Sequence, residues 1–255
     1  MKRLATLIYG IVCYAVFFVT FLYAVGFLAN FAVPKSIDSG DPGPVPLAIA
    51  VNLGLLTVFA IQHSVMARIG FKRVWTRIVP KAAERSTYVL ASSAAMALLF
   101  WGWHPIGGSV FSIESEIART IVTGFFLAGV SLVLYSTFLI DHFDLFGLRQ
   151  VFLYFRGQPY VEKRFATPSL YKHIRHPLYV GWFITFWATP DMTWGHFLMA
   201  GVATAYILVA IVLEERDLLQ ILGDDYRHWR GVTPKFVPSL RGKTASAAAA
   251  RRVAA

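Results

Sequence analysis

Two groups of opposite charge stand at the ends of one apolar region. Arg175 and His176 lie in YKHIRHPLYVGW, and Glu214, Glu215 and Asp217 lie in LEERDLLQ. Pro177 starts a helix well, because its missing N–H would be unpaired in a first turn anyway. Arg175 and His176 then sit where free backbone N–H groups and the positive end of the helix dipole favour an anion. The acids occupy a helix C-terminal end, where carboxylates oppose the dipole and need partners. Brought together, the two groups would make either a salt-bridge lock or a polar cradle for a small ligand with charges of both signs. Tyr226, Trp229 and Phe236 follow and offer faces for a flat ring. The plainer use of Arg175 and its neighbours is a basic flank resting on lipid phosphate. Gly181, one turn into the helix, leaves room for a ligand or for another backbone.

A second set of residues could move protons. Gln62 and His63 end one apolar run in IQHSVMAR, and Glu84, Arg85 and Tyr88 open the next in ERSTYVL. Asp141, His142 and Asp144 follow another in DHFDLFGLRQ, with Arg149 and Gln150 close behind. Ionisable groups inside spans are costly and face the protein interior or a wet cavity. A lone His63 would be a hydrogen-bonded packing residue; with His142 and Asp141 at the same depth and side, a functional pair is expected. The histidines lack metal-ligand spacing and no second cysteine is available, so no metal is expected.

The elements that must position these residues are apolar helices. The chain of 255 residues is 56% hydrophobic and 15% charged, against roughly 25% charged in soluble domains. Runs long enough for a ~30 Å hydrocarbon core, at about 20 residues each, cover 4–33, 47–66, 88–103 and 117–140. The region 178–213 is too long for one helix and is broken by TPDMTWG, which predicts a hairpin of 178–189 and 195–213. The fold class expected is all-α: a polytopic transmembrane bundle of four long spans plus a C-terminal helical hairpin. Residues 1–240 form one domain, with ligand segments 150–181 and 214–238, and the biased tail 241–255 is expected to be disordered.

Charge placement orients the bundle. PKSIDSGDPGPVP and HPIGGSVFSIESE are poor in cations. The segment after the second span carries Arg68, Lys72, Arg73, Arg77, Lys81 and Arg85. The segment after the fourth carries Arg149, Arg156, Lys163, Arg164, Lys172 and Arg175. The positive-inside rule puts these and both termini on the cytoplasmic side. The net charge of +10 flanks apolar spans, so lipid head groups rather than nucleic acid are its partners. The N-terminal apolar run exceeds a signal-peptide core of roughly 7–15 residues and reads as a retained span. The single Cys13 excludes an intrachain disulfide, and no protein partner is evident.

RHPLYVG followed, after one hairpin, by EERDLLQILGDDYRHW resembles the cofactor site of the isoprenylcysteine carboxyl methyltransferase superfamily, although PSLY stands at Pro168–Tyr171 where that family carries Gly-Pro-Tyr. QHSVMAR, ERSTYVL and DHFDLFGLRQ resemble, more narrowly, the bacterial membrane-bound methanethiol S-methyltransferases. The resemblance implies S-adenosyl-L-methionine as cofactor and a small volatile thiol as substrate, in a bacterial inner membrane. It places His176, Pro177, Tyr179 and Gly181 along the cofactor, with Glu214, Glu215 and Tyr226 as partners; Gln150, His173 and Arg175 are counted with them. A thiol near pKa 8.5 needs a base or a cation to become a nucleophile. His142 oriented by Asp141 is the expected base and His63 the second choice, with Gln62, Arg85, Tyr88, Asp144 and Arg149 around the substrate. A carboxyl or lipid methyltransferase, or a non-enzymatic protein holding haem through His63 and His142, are the other readings.

Overall fold

A computed structural model of the chain describes residues 1–161 and 165–238. Lys163, Arg164 and the tail 241–255 lie outside them. The elements run α1 (Lys2–Ala29), α2 (Val45–Ala67), α3 (Ile69–Trp75), α4 (Lys81–Gly102), β1 (Ser109–Ser112), α5 (Glu116–Ile140), α6 (His142–Leu145) and α7 (Leu148–Phe155). A 3-10 turn (Ser169–Lys172), α8 (Pro177–Trp187), β2 (Asp191–Thr193) and α9 (Trp194–Val232) follow. Helices α1, α2, α5 and α9 are long and apolar enough to cross a membrane. The protein is an all-α polytopic bundle and an integral membrane protein.

Helix α4 packs against both α1 and α2 and buries Ser86 and Ser93 beside Val89 and Leu99. A helix flanked by neighbours needs less apolar surface, and small residues let its neighbours approach. It begins at Lys81 rather than Tyr88, so Glu84, Arg85 and Tyr88 share its first turns. The core sits near the end of the bundle opposite Arg175, with Phe27, Leu28, Ile37, Leu56, Leu99 and Trp103 packed together. Buried Asn52 seals that end by exchanging hydrogen bonds with the backbone of His104 at 2.7 and 2.9 Å.

The C-terminal region is a hairpin with unequal arms. Helix α8 has 11 residues, about 16 Å at 1.5 Å per residue, and the extended stretch through β2 completes the arm. TPDMTWG is therefore more than a turn. β2 pairs antiparallel with β1, and Arg119 grips Asp191 through two hydrogen bonds of 2.9 and 2.6 Å. Hydrogen bonds from Arg119 and then Ser112 hold the Asp191 carboxyl below its ordinary range. Helix α9 runs on as 39 residues with a non-helical Gly223. EERDLLQIL is made of good helix formers and contains no breaker before that glycine.

Of the two uses open to Gly181, the fold makes close approach of backbone. A Cβ there would stand 2.8 Å from Val133 N and 2.9 Å from Gly129 O; one at Gly129 would meet Gly181 O and Thr185 N, each at 2.9 Å. α5 and α8 thus meet backbone to backbone. Gly129→Ala is expected to destabilise the protein by about 1–3 kcal/mol through overpacking. Gly124→Ala, with nothing within 4 Å of the added carbon, is expected to be neutral or stabilising. Thermal unfolding in detergent compares the two.

Candidate active site

The hairpin brings its two feet together. Arg175 Nη1 donates to Glu215 Oε1 at 2.6 Å, and His176 Nε2 lies 3.0 Å from the same oxygen. Arg230 Nη1 approaches Glu215 Oε2 at 3.8 Å. Glu215 and His176 are each 6% exposed. The chain beyond α9 folds back to complete the join: Pro234 O accepts from Arg175 N at 2.9 Å and Lys235 O from His176 N at 3.1 Å. These carbonyls satisfy donors that the start of α8 leaves unpaired. Phe236 then packs near His176 and Phe183, at centroid distances of 6.3 and 5.5 Å.

Glu214 faces a different way, as adjacent residues on a helix must. Tyr179 Oη donates to its Oε2 at 2.8 Å. Burial, then Glu214, pushes the Tyr171 phenol up. Tyr226 is 1% exposed and packs against Phe165 and Trp229. Tyr226 Oη and Arg175 Nε are buried and make no hydrogen bond. Two polar groups of one cluster thus carry unused hydrogen-bonding capacity. His173 is exposed, and Pro177 is fully buried at the start of α8.

A second cluster adjoins the first. His63 lies between Phe59 and Tyr88, both with ring centroids 5.2 Å away. Its Nδ1 is 3.2 Å from Ser92 Oγ, and Tyr88 Oη lies 2.9 Å from Nε2 and 3.1 Å from Nδ1. Gln62 Nε2 donates to Ser92 Oγ at 3.3 Å. The guanidinium of Arg85 lies over the Tyr88 ring at 5.6 Å, and Arg85 and Arg68 both act electrostatically on His63. Across from it, Ser64 Oγ and Tyr206 Oη are 3.1 Å apart, and Arg68 pairs with Asp217 at 2.7 Å. Tyr179 is close enough to Tyr206 and Tyr88 to interact electrostatically with both. Of these, Tyr179 is hydrogen-bonded to Glu214 and Tyr88 to His63.

His142 does not join it in the expected way. Its ring is 3% exposed, stacked on Phe138 at 4.3 Å. Thr137 Oγ1 is 2.8 Å from Nδ1 and Tyr14 Oη is 2.8 Å from Nε2. The orienting partner is Thr137, not Asp141. Asp141 instead caps α6, accepting from Asp144 N at 3.2 Å with a φ of 128°. Asp144 pairs with Arg149 at 3.2 Å and accepts from Tyr160 Oη, while Gln150 Nε2 donates to Asp144 O at 3.1 Å. The ring nitrogens of His63 and His142 are engaged by different partners, an arrangement that does not suit a haem held between them.

The residues that sequence reasoning missed are Ser92, Ser64, Tyr206 and, as a site residue, Arg68. Their signal was periodic. Ser64 and Arg68 are four apart on α2, and Tyr206 and Asp217 are three helical turns apart on α9, so each pair shares a face.

Long apolar helices that carry buried polar clusters define an integral membrane protein. No family model and no solved structure matches the chain. Curated relatives narrow the class to membrane methyltransferases. The chain is 50% identical over 244 residues to the methanethiol S-methyltransferase of Crocosphaera subtropica, covering 96% of each protein. It is 50% identical over 238 residues to that of Mycobacterium tuberculosis, covering 93% of this chain and 98% of the relative. It is 53% identical over 238 residues to methanethiol S-methyltransferase 2 of Bradyrhizobium diazoefficiens, covering 93% and 92%. The chain belongs to the methanethiol S-methyltransferase family.

Glu215→Ala leaves Arg175 buried without its counter-charge and is expected to cost about 3–5 kcal/mol, read as a lowered thermal midpoint. Burial holds His142 below the ordinary histidine value, opposed by Asp141. The unfolded chain, titrating near 6.5, therefore binds the proton first as pH falls, and stability is lost below that pH. The midpoint is expected to fall between pH 7.5 and 5, and to fall less in His142→Gln.

Proposed function

We propose that this chain transfers a methyl group from S-adenosyl-L-methionine to the sulfur of methanethiol, forming dimethyl sulfide. The reaction takes place at the cytoplasmic boundary of a bacterial inner membrane, with both termini on that side. The observation that carries this reading is the buried Arg175–Glu215–His176 join with Glu214 turned to Tyr179 beside it, together with the polar cluster around His63. About half of the chain's residues are identical to those of proteins named for this reaction, and the cation-rich segments around Arg68 and Arg175 support the orientation.

The first cluster suits the cofactor chemically. Arg175 Nε and Tyr226 Oη are free to donate, which fits a carboxylate or a ring nitrogen. Glu214 fits an ammonium or ribose hydroxyls. His176 and Phe236 supply ring faces for a purine. Arg175, His176, Glu214 and Tyr226 would hold the cofactor, with Glu215 fixing the first two. When bound, S-adenosyl-L-methionine supplies a methyl group on a sulfonium, an electrophile that needs no acid.

What remains for the protein is to hold the thiol and take its proton. His63 assumes the role first assigned to His142, because it lies on the side of the site that Tyr179 reaches. Arg85 and Arg68 favour an anion beside Tyr88. The rings of Phe59, Tyr88 and Tyr206 make walls that suit a small apolar thiol. Exclusion of water there strengthens each charge interaction. The location also fits the reactants, since methanethiol partitions into lipid while the cofactor stays in water.

Headspace chromatography of cells expressing the chain and fed methanethiol is expected to show dimethyl sulfide above the vector control; no gain sinks the substrate assignment. Calorimetry on the purified protein is expected to show saturable S-adenosyl-L-methionine binding, weakened at least about tenfold in Glu214→Ala, in line with loss of a charged hydrogen-bonding partner.

A further inference from the structure

Ser92 decides which nitrogen of His63 is available. A serine hydroxyl has one proton to give and two positions to accept. Ser92 gives its proton to the Tyr88 carbonyl at 3.0 Å. It accepts from Gln62 Nε2 at 3.3 Å, and its remaining position faces His63 Nδ1 at 3.2 Å. Nδ1 therefore carries a hydrogen, and Nε2 is the bare nitrogen. Tyr88 Oη lies 2.9 Å from that nitrogen and 3.1 Å from Nδ1; with Nδ1 bearing a hydrogen, the phenol donates to Nε2. Both ring nitrogens are engaged, so a thiol cannot reach the imidazole without displacing Tyr88. Tyr88 Oη, having donated, keeps lone pairs with which to accept.

We propose that Tyr88 is a catalytic residue that touches the thiol and relays its proton to His63. The inference rests on the methyl-transfer reading above. The thiol S–H bond breaks and its proton bonds to Tyr88 Oη, while the original Tyr88 proton leaves Oη and bonds to His63 Nε2. The S–H electron pair stays on sulfur and is the pair that takes the methyl group. His63 becomes an imidazolium supported by Ser92 at Nδ1. Tyr88 ends as it began, neutral and again hydrogen-bonded to His63. The groups facing this relay are Arg85 on its own helix, Arg68 on α2, and Tyr179 and Tyr206 from the hairpin. The two arginines favour negative charge on the thiol sulfur, and their repulsion of the imidazolium hastens release of the proton after turnover.

The test is kcat for methanethiol between pH 6.5 and 9, in protein reconstituted in lipid nanodiscs. Tyr88→Phe is expected to lower kcat about 10²–10³-fold at pH 7, the range of a lost acid–base group. KM and cofactor affinity should stay within about threefold, since Tyr88 acts on the proton and not on ground-state binding. The deficit should shrink by about tenfold per pH unit as solution supplies thiolate directly. Ser92→Ala, which frees the imidazole tautomer, should lose about tenfold with the same recovery. A Tyr88→Phe deficit that does not change with pH, or no deficit at pH 7, overturns the relay. If Tyr88→Phe does not fold, Ser92→Ala is judged by the same slope. A wild-type chain that makes no dimethyl sulfide at any pH refutes the methyl-transfer reading itself, which is a separate failure.

Discussion

A buried carboxylate midway along a long helix organises the C-terminal half of this protein. Glu215 lies in the interior of α9, beyond the reach of the charged helix ends, and is held by Arg175, His176 and Arg230. Desolvating these charges is costly, and the cost is offset only when every partner is in place. The requirement ties the start of α8 to α9, and the returning chain at Pro234 and Lys235 tightens the tie. It also brings Glu214 round to Tyr179 and leaves Arg175 Nε and Tyr226 Oη buried with bonding capacity to spare. The stability of the hairpin and the polarity of the site therefore share one cause.

The proposed site runs inward from that join toward a group of tyrosines. Tyr179 is bonded to Glu214 and Tyr88 to His63, and the hydrogen-bond capacity of Ser92 bears on which nitrogen of His63 carries its hydrogen. The close meeting of α5 and α8 at Gly129 and Gly181 sets where Tyr179 stands relative to the first cluster. At the opposite end, the β1–β2 pair and the Arg119–Asp191 contact secure the far side of the hairpin. A rigid hairpin closed at both ends can present a polar wall at one depth only, which is what transfer between an aqueous donor and a lipid-soluble acceptor would require.

Much of this was legible in the residues. The apolar runs predicted the bundle, and opposed charges at 175–176 and 214–215 anticipated the join, although the reason is burial of the acids and not a helix C-terminus, since α9 continues past them. The extension of α9 to Val232 was missed, since a polar composition masked a run of good helix formers. α4 begins earlier than its apolar run because its first turns are amphipathic and are packed against protein. The expectation that Asp141 orients His142 fails for a local reason. DHF suggests a carboxylate orienting an imidazole, but the positive φ at Asp141 turns its side chain to cap α6 and leaves His142 to Thr137 and Tyr14. Proximity in sequence does not specify direction around a helix end. Ser92 and Tyr206 carry no charge and draw no notice until their spacing is set against neighbouring helices.

The most direct measurement is an experimental structure of the protein in nanodiscs with S-adenosylhomocysteine bound. The account predicts the ligand against Glu214, Tyr226 and Arg175, with its sulfur directed toward Tyr88 and His63. Ligand density beside His142 at the α5–α6 junction, or an arrangement in which Arg175 and Glu215 stand apart, would contradict it.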